Sequence, residues 1–331
     1  MMDELDAFGV LREEPMRKHT SWRVGGPAEL FFEPSDEEVL ARFLASLPEE
    51  MPVHFVGLGS NLLVRDGGVR GAVIGTRRLP KRLERLDPLR VSAGAGVPCA
   101  RLARQCVRWN LGPAAFFAGI PGTVGGALAM NAGAFGGETW DRVESVETLD
   151  RHGVRRTYAR DEFAIGYRSV RMKKGSVEKE GSEPFFAATP ESATSAAKKG
   201  SGPFFSTHPF FISAAFAFER DDTLDESSIK TMLEKRAATQ PLGVPSCGSV
   251  FRNPEGTHAG ALIEGAGLKG LRIGGAEVSG KHANFIVNTG DATAEDIERL
   301  IETVKQRVAA LTGVNLVLEA RVIGERRAET Q

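Results

Sequence analysis

Two glycine-rich stretches carry the chemistry that residue types and spacing suggest first. Gly119-Ile120-Pro121-Gly122-Thr123-Val124-Gly125-Gly126-Ala127 places four glycines and a proline in nine residues, and Gly57-Leu58-Gly59-Ser60-Asn61-Leu62 places two more. Backbone without Cβ atoms serves either a sharp turn that packing requires or a nest of amide N–H groups around an anion. Taken singly, each stretch reads better as a turn. Together they can surround a diphosphate with amide donors and no lysine. Neither is a dinucleotide fingerprint, because GLGSNL lacks the third glycine and no acidic residue follows on a second strand at the expected distance. No P-loop run of the form GxxxxGKS/T occurs.

The composition narrows the classes further. Lys and Arg number 42 against 43 Asp and Glu, so no general basic field points to nucleic acid or a membrane surface. Local basic spots, Arg77-Arg78 and Lys81-Arg82, read as a solvated face. Three cysteines, Cys99, Cys106 and Cys247, and six scattered histidines show no metal-ligand spacing, so no metal site is expected and the thiols suit a reducing compartment. The start, MMDELDAFGVLREEP, has neither a basic head nor an export-length apolar run, and no later segment reaches the length of a membrane span. A cytoplasmic protein of two or three domains is the expectation for 331 residues.

The elements that must position the glycine stretches can be read locally. Ser35-Asp36-Glu37-Glu38 before VLARFLASL is a capped helix start with an acidic first turn. PCARLARQCVRWN has helical spacing, DDTLDESSIKTMLEKRAATQ predicts a helix stopped by Pro241, and Thr293-Ala294-Glu295-Asp296 opens a last helix. PVHFV, LRVSAGAGV, VESVETLD, GVRRTYA, FFISAAFAFE and VNLVLEARVIG read as strands, and LLV after the first glycine turn as a strand or short helix. Mixed elements with no regular βαβ repeat predict an α+β architecture. Lys173 to Pro209, rich in Ser, Ala, Lys, Gly and Pro, reads as an excursion with a near repeat, PFFAATP against PFFSTHP.

In the order GLGSNLLV, AGIPGTVGGALAMNAGAFG, GYRSV, PSCGSVFRNP, HAGALIEGAGLKGLRIGGAEVSGKHANFIVN and LEARVIG, the chain resembles the UDP-N-acetylenolpyruvoylglucosamine reductases (MurB) of peptidoglycan synthesis. The resemblance covers nearly the whole chain apart from Lys173 to Pro209. It implies an FAD-binding fold of the vanillyl-alcohol-oxidase (PCMH) type in two subdomains, plus an α+β substrate-binding domain. The implied boundaries are 1–76 with 320–331 returning to it, 77–222 containing an insertion at 173–209, and 223–319. It further implies that NADPH reduces FAD, that hydride passes from flavin N5 to C3 of UDP-N-acetylglucosamine enolpyruvate, and that a proton reaches C2 to give UDP-N-acetylmuramate. Gly57, Gly59, Ser60, Asn61, Leu62, Gly119, Ile120, Pro121, Gly122, Thr123, Gly125, Gly126 and Ala127 then approach the FAD diphosphate and its neighbours, and the glycines are bare so that Cβ atoms do not clash. Asn131 belongs either to the flavin environment or to a turn.

By the same resemblance Ser249 is the proton donor, with Ser246 the nearby alternative. A free serine is a poor acid, so its departing charge must be stabilised by neighbours. Cys247 invites a thiol mechanism, against which stands a buried packing role. Arg168 matches the arginine that contacts flavin and substrate carboxylate, where a fixed charge and forked donors suit a developing dianion; Arg171 reads as an ordinary surface arginine. Glu319 matches the catalytic glutamate, and a carboxylate beside another predicts a raised pKa or an ion pair with Arg168. Arg321 reads as a strand-end salt bridge. Arg252, Asn253, His258, Lys281 and His282 are candidates for the UDP moiety, with Gln240 weaker.

PSCGSVFRNP and SGKHANF resemble the family's short class, yet the extra length lies where the long class keeps a tyrosine-bearing loop. No tyrosine follows Tyr167. The segment is therefore either a surface insertion or a lid in which Phe185-Phe186, Phe204-Phe205 and His208 replace that ring. Two other functions remain open at this stage: a different flavoenzyme of the same fold, and a non-catalytic flavin- or nucleotide-binding regulator.

Overall fold

In the computed structural model residues 5–173 and 209–327 are described, so the phenylalanine pairs and His208 of the expected excursion lie outside the described residues. The chain divides into two compact units: Met1–Val10, Phe32–Gly57 and Val73–Lys235 form the first, and Leu11–Phe31, Leu58–Ala72 and Arg236–Gln331 the second. Helices and mostly antiparallel strands alternate irregularly, which is the α+β architecture expected.

The first unit is built on a five-stranded antiparallel sheet in the order Arg155–Ala159, Val143–Leu149, Phe210–Ala217, Arg90–Gly94, Leu83–Arg85. The central strand buries Phe210, Phe211 and Ile212 in succession and alternates only beyond them, with Ala214 and Phe216 buried, because a register shift against Val143–Leu149 interrupts the period of two. The helix Cys99–Arg108 buries Cys99, Leu102, Ala103, Cys106 and Val107, a 3.6-residue stripe. Phe117, Trp140, Phe211 and Phe216 complete this core, each contributing about 2–3 kcal/mol by leaving water.

The second unit holds a three-stranded meander, Arg272–Ile273, Ala276–Val278 and Ile286–Asn288, and a parallel pair in which Arg321–Ile323 lies beside Leu62–Val64. Its long helix, Ala294–Thr312, buries Ile297, Leu300, Ile301, Val304 and Val308 at helical spacing. The reason it starts where the sequence predicts is a reciprocal capping box: Thr293 Oγ1 accepts from the Asp296 N–H and Asp296 Oδ2 accepts from the Thr293 N–H. A third group assists. Asp66, two residues beyond Leu62–Val64, accepts from the Ala294 and Glu295 amides at 3.0 and 2.9 Å. Arg65 beside it makes a forked pair with Glu298 at 3.0–3.1 Å.

One expectation needs correction. VNLVLEARVIG is not one strand, because the chain changes partner within it. The Val317 carbonyl accepts from Arg252, Leu318 bridges Phe251, and only Arg321–Ile323 pairs with Leu62–Val64. The second glycine stretch runs directly into a helix, Val124–Met130, despite Gly125 and Gly126. Among the described residues no helix is long and apolar enough to cross a membrane, and no group of three metal-ligating side chains is placed to hold an ion.

Asp66→Ala removes two charge-assisted caps from the long helix and should lower unfolding stability by about 1–2 kcal/mol. A urea midpoint unchanged by the substitution would leave the capping to Thr293 alone.

Candidate active site

In the first unit the two glycine stretches meet at one side chain. A Cβ built on Gly57 would lie 3.1 Å from Thr123 Oγ1, and one on Gly126 would lie 3.9 Å from the same atom. Thr123 is 3% exposed and its hydroxyl has no hydrogen-bond partner among the described residues. It precedes the helix Val124–Met130, whose first amides are largely engaged: Val124 donates to Val97, Gly125 to Ala95 and Ala127 to Thr123. Ile120 and Ala127 are buried, while Pro121 and Gly126 face outward.

The glycines do not all serve one purpose. A Cβ on Gly125 would come within 2.8 Å of Ala95 Cβ, and one on Gly59, at φ +63°, within 2.1 Å of the His19 carbonyl. These two are bare because the protein packs against them, not because a ligand must approach. Gly126 meets no such obstacle, so the open face lies there, while a side chain on Gly57 would press on the Thr123 hydroxyl.

Arg168 occupies the second position of the two-residue turn joining Phe163–Gly166 to Ser169–Met172, with φ +52°. A non-glycine residue in the left-handed region costs on the order of 1–3 kcal/mol and marks a place where geometry is imposed. Its guanidinium donates to the Asn131 and Gly133 carbonyls at 3.4 Å and lies over the Tyr167 ring. Asn131 is the left-handed cap of the helix Val124–Met130. Its amide donates to Glu138 Oε2 and the Gly166 carbonyl and accepts from the Trp140 N–H. Asn131 therefore takes the turn conformation, and it ties the glycine helix to the Arg168 turn.

The second unit brings together Gly59, Ser60, Asn61, Leu62, Ser249, Arg252 and Glu319. The Val250 carbonyl accepts from both the Glu319 and Ala320 amides, at 2.8 and 3.3 Å, so the serine stretch and the glutamate stretch lie side by side. Asn61 joins from the other flank, donating from Nδ2 to the Glu319 carbonyl at 3.1 Å and accepting from the Arg321 N–H at 2.9 Å. Ser249 and Glu319 are both half-buried. Cys247 is 4% exposed, and burial, with the charge of Glu319 second, holds its thiol well above the ordinary range. A thiolate there is disfavoured, which makes Cys247 a packing residue.

The UDP candidates separate. Asn253 accepts from the Ala259 N–H, Lys281 donates to the Ala237 carbonyl, and His282 Nδ1 accepts from the Asn284 N–H. These three are engaged within the fold. His258 is exposed, and Arg252 is half-buried with an Nε that has no partner among the described residues. Arg321 is more than the strand-end residue expected: burial first and the Arg252 charge second pull its guanidinium down to about 9. Asn284 gave no sequence signal at all.

Residues 28–158 match the family model described as FAD binding domain, and residues 240–323 the one described as UDP-N-acetylenolpyruvoylglucosamine reductase, C-terminal domain. The UDP-N-acetylenolpyruvoylglucosamine reductase of Alkalilimnicola ehrlichii is 50% identical over 319 residues, covering 96% of this chain and 96% of that protein. That of Methylococcus capsulatus is 49% identical, covering 96% and 94%. The chain belongs to the UDP-N-acetylenolpyruvoylglucosamine reductase family. The crystal structure of a family member from Thermus caldophilus superposes with a TM-score of 0.69 at 31% identity, over 95% of this chain and 97% of that one. The fold is accordingly an FAD-binding fold of the PCMH type with the family's α+β carboxyl-terminal domain, and the chain is a flavin-dependent oxidoreductase. The residues present fit the flavin: a buried hydroxyl without a partner and the outward face of Gly126 suit an anionic group.

Thr123→Val keeps the shape and removes the hydroxyl. The FAD-free protein should be no less stable, since a buried polar atom without a partner costs about 1–3 kcal/mol, while the FAD dissociation constant rises about tenfold or more. Flavin fluorescence titration and thermal unfolding of the FAD-free protein read the two effects apart. A less stable protein with unchanged FAD affinity would place the hydroxyl's partner within the fold.

Burial lowers the His282 pKa from its ordinary 6.5, with Lys269 adding to the shift and Glu264 opposing it. The unfolded chain then takes up the proton more readily than the folded one. The contribution is intact above pH 6.5 and is lost as pH falls from there through the folded value. His282→Asn should flatten the decline of the urea midpoint between about pH 7 and pH 5; an identical slope in the variant would contradict this.

Proposed function

We propose that the chain reduces UDP-N-acetylglucosamine enolpyruvate to UDP-N-acetylmuramate in the cytoplasm, a step of peptidoglycan synthesis, with NADPH as hydride donor. The observation that carries the reading is the shared Val250 carbonyl, which sets the half-buried Ser249 and Glu319 stretches side by side, with Asn61 of the glycine loop bonded to the same glutamate. FAD, when bound, would supply the redox chemistry that carries hydride from NADPH to C3 of the enolpyruvyl ether. Gly57, Thr123 and Gly126 would hold its anionic part.

The chain's own residues supply the rest. Reduction at C3 leaves negative charge that spreads into the substrate carboxylate, and the permanently charged Arg168 offsets it. Ser249 delivers the proton to C2, and Glu319 is the catalytic carboxyl group beside it, with the permanent charge of Arg168 to offset the negative charge of the reaction. Arg252, Asn253, His258, Lys281 and His282 are the candidates to contact the UDP moiety, the most available being the exposed His258 and the Nε of Arg252, which has no partner among the described residues. Residues 1–76, with 320–331 returning to them, and 77–222 act as the flavin-holding parts and 223–319 as the substrate-holding part.

The test separates two half-reactions in an anaerobic stopped-flow instrument. NADPH should bleach the flavin, and the enolpyruvyl substrate should restore its absorbance. In Ser249→Ala the bleaching should persist while the restoration slows by at least about 10²-fold. A flavin that NADPH reduces but the enolpyruvyl substrate does not reoxidise would mean another acceptor.

A further inference from the structure

We infer that Asn284 is the positioning residue for Ser249: its side chain acts as a substitute strand that fixes the backbone from which the proton is delivered. The inference rests on the reading of Ser249 as proton donor. Gly248, before the serine, has φ +82° and no heavy atom within 4 Å of a built Cβ, so nothing packs against the backbone on that side. On the other side every polar group of the next two residues is held. The Val250 N–H donates to the Asn284 carbonyl at 2.9 Å, and its carbonyl takes the Glu319 and Ala320 amides. The Phe251 N–H donates to Asn284 Oδ1 at 2.9 Å, and the Phe251 carbonyl accepts from Asn284 Nδ2 at 2.8 Å.

The side-chain amide therefore pairs with Phe251 as a neighbouring peptide would, donor to acceptor and acceptor to donor. A primary amide presents both groups in one plane at this reach whatever the pH. Asn284 is 3% exposed, Val250 0% and Phe251 1%, so water cannot replace these bonds. Asn284 is itself oriented by His282, whose Nδ1 accepts the Asn284 N–H at 3.2 Å. The serine hydroxyl can be aimed only as well as this clamp holds, and an error near 1 Å in such a site costs about 10²-fold in rate.

The experiment uses the FAD-loaded full chain and two substitutions. Asn284→Ser removes the clamp without burying a charge. It should leave flavin content and NADPH reduction within about twofold of the parent, slow reoxidation by the enolpyruvyl substrate about 10²-fold, and raise the solvent deuterium isotope effect on that step. Asn284→Asp places a carboxylate where the amide was; its protonated form again offers one donor and one acceptor, so reoxidation should recover as pH falls. In a Ser249→Ala background, Asn284→Ser should cost little more, since both act on one event.

Reoxidation unaffected in Asn284→Ser, or an equal loss in both half-reactions, would overturn the assignment. So would failure of both variants to fold, which would leave Asn284 a purely structural residue. If Ser249→Ala itself reoxidises at the parent rate, the proton-donor reading falls; if Ser249→Ala is slow and Asn284→Ser fast, only the role of Asn284 falls.

Discussion

A single acceptor, the carbonyl of Val250, organises the second unit. Because it takes the amides of both Glu319 and Ala320, the carboxyl-terminal stretch cannot continue as a regular strand beside residues 250–252 and turns away toward Leu62–Val64. That change of partner leaves Glu319 at the junction, with Asn61 bonded to its carbonyl and Arg321 to the Asn61 carbonyl. A regular ladder would have alternated side chains across a flat surface. The irregular one gathers a serine, a glutamate and the glycine loop around two peptide groups, and the bonds that do so lie among the buried Val250, Phe251 and Ala320. Exchange of these bonds with water would require opening the core formed by Trp22, Cys247, Ile297 and Leu300.

The first unit reaches precision by another route. Asn131 and Arg168 both sit at positive φ without being glycine, which together costs a few kcal/mol of local strain. The strain persists because each residue's polar atoms hold the other's turn: Asn131 donates to the carbonyl of Gly166, and Arg168 donates back to the carbonyl of Asn131. The helix Val124–Met130, the Arg168 turn and Trp140 therefore form one hydrogen-bonded body. A guanidinium so tethered loses less freedom when it meets an anion than one on a free surface arm.

Much of the fold was legible because its signals are local. Asp36 caps the helix Glu37–Ser46 through the Val39 N–H, and the Thr293–Asp296 box opens Ala294–Thr312, both within four residues of sequence. The alternation of residues 212–217 is likewise contained in the strand that shows it, whereas the shift before it depends on Val143–Leu149. What was not legible depends on distant partners. Gly125 is bare because of Ala95, Gly59 because of His19, and the Val124–Met130 helix tolerates two glycines because its amides reach back to Val97 and Ala95. The identities of Arg168, Ser249 and Glu319 as candidates came from long motifs in a fixed order, since no spacing rule connects residues so far apart. Asn284 escaped for the same physical reason. Its partners lie 33 positions away and are backbone atoms, which leave no trace in residue type.

The electrostatics of the second unit follow from the same geometry. Cys247 lies deep enough for burial to favour the thiol, and the nearby Glu319 charge pushes in the same direction, so a thiolate there is disfavoured. Arg252 and Arg321 are close enough for one to lower the other's affinity for its proton, in a place where burial already penalises charge. Two like charges held near each other are unfavourable in the protein alone and become favourable once an anion joins them.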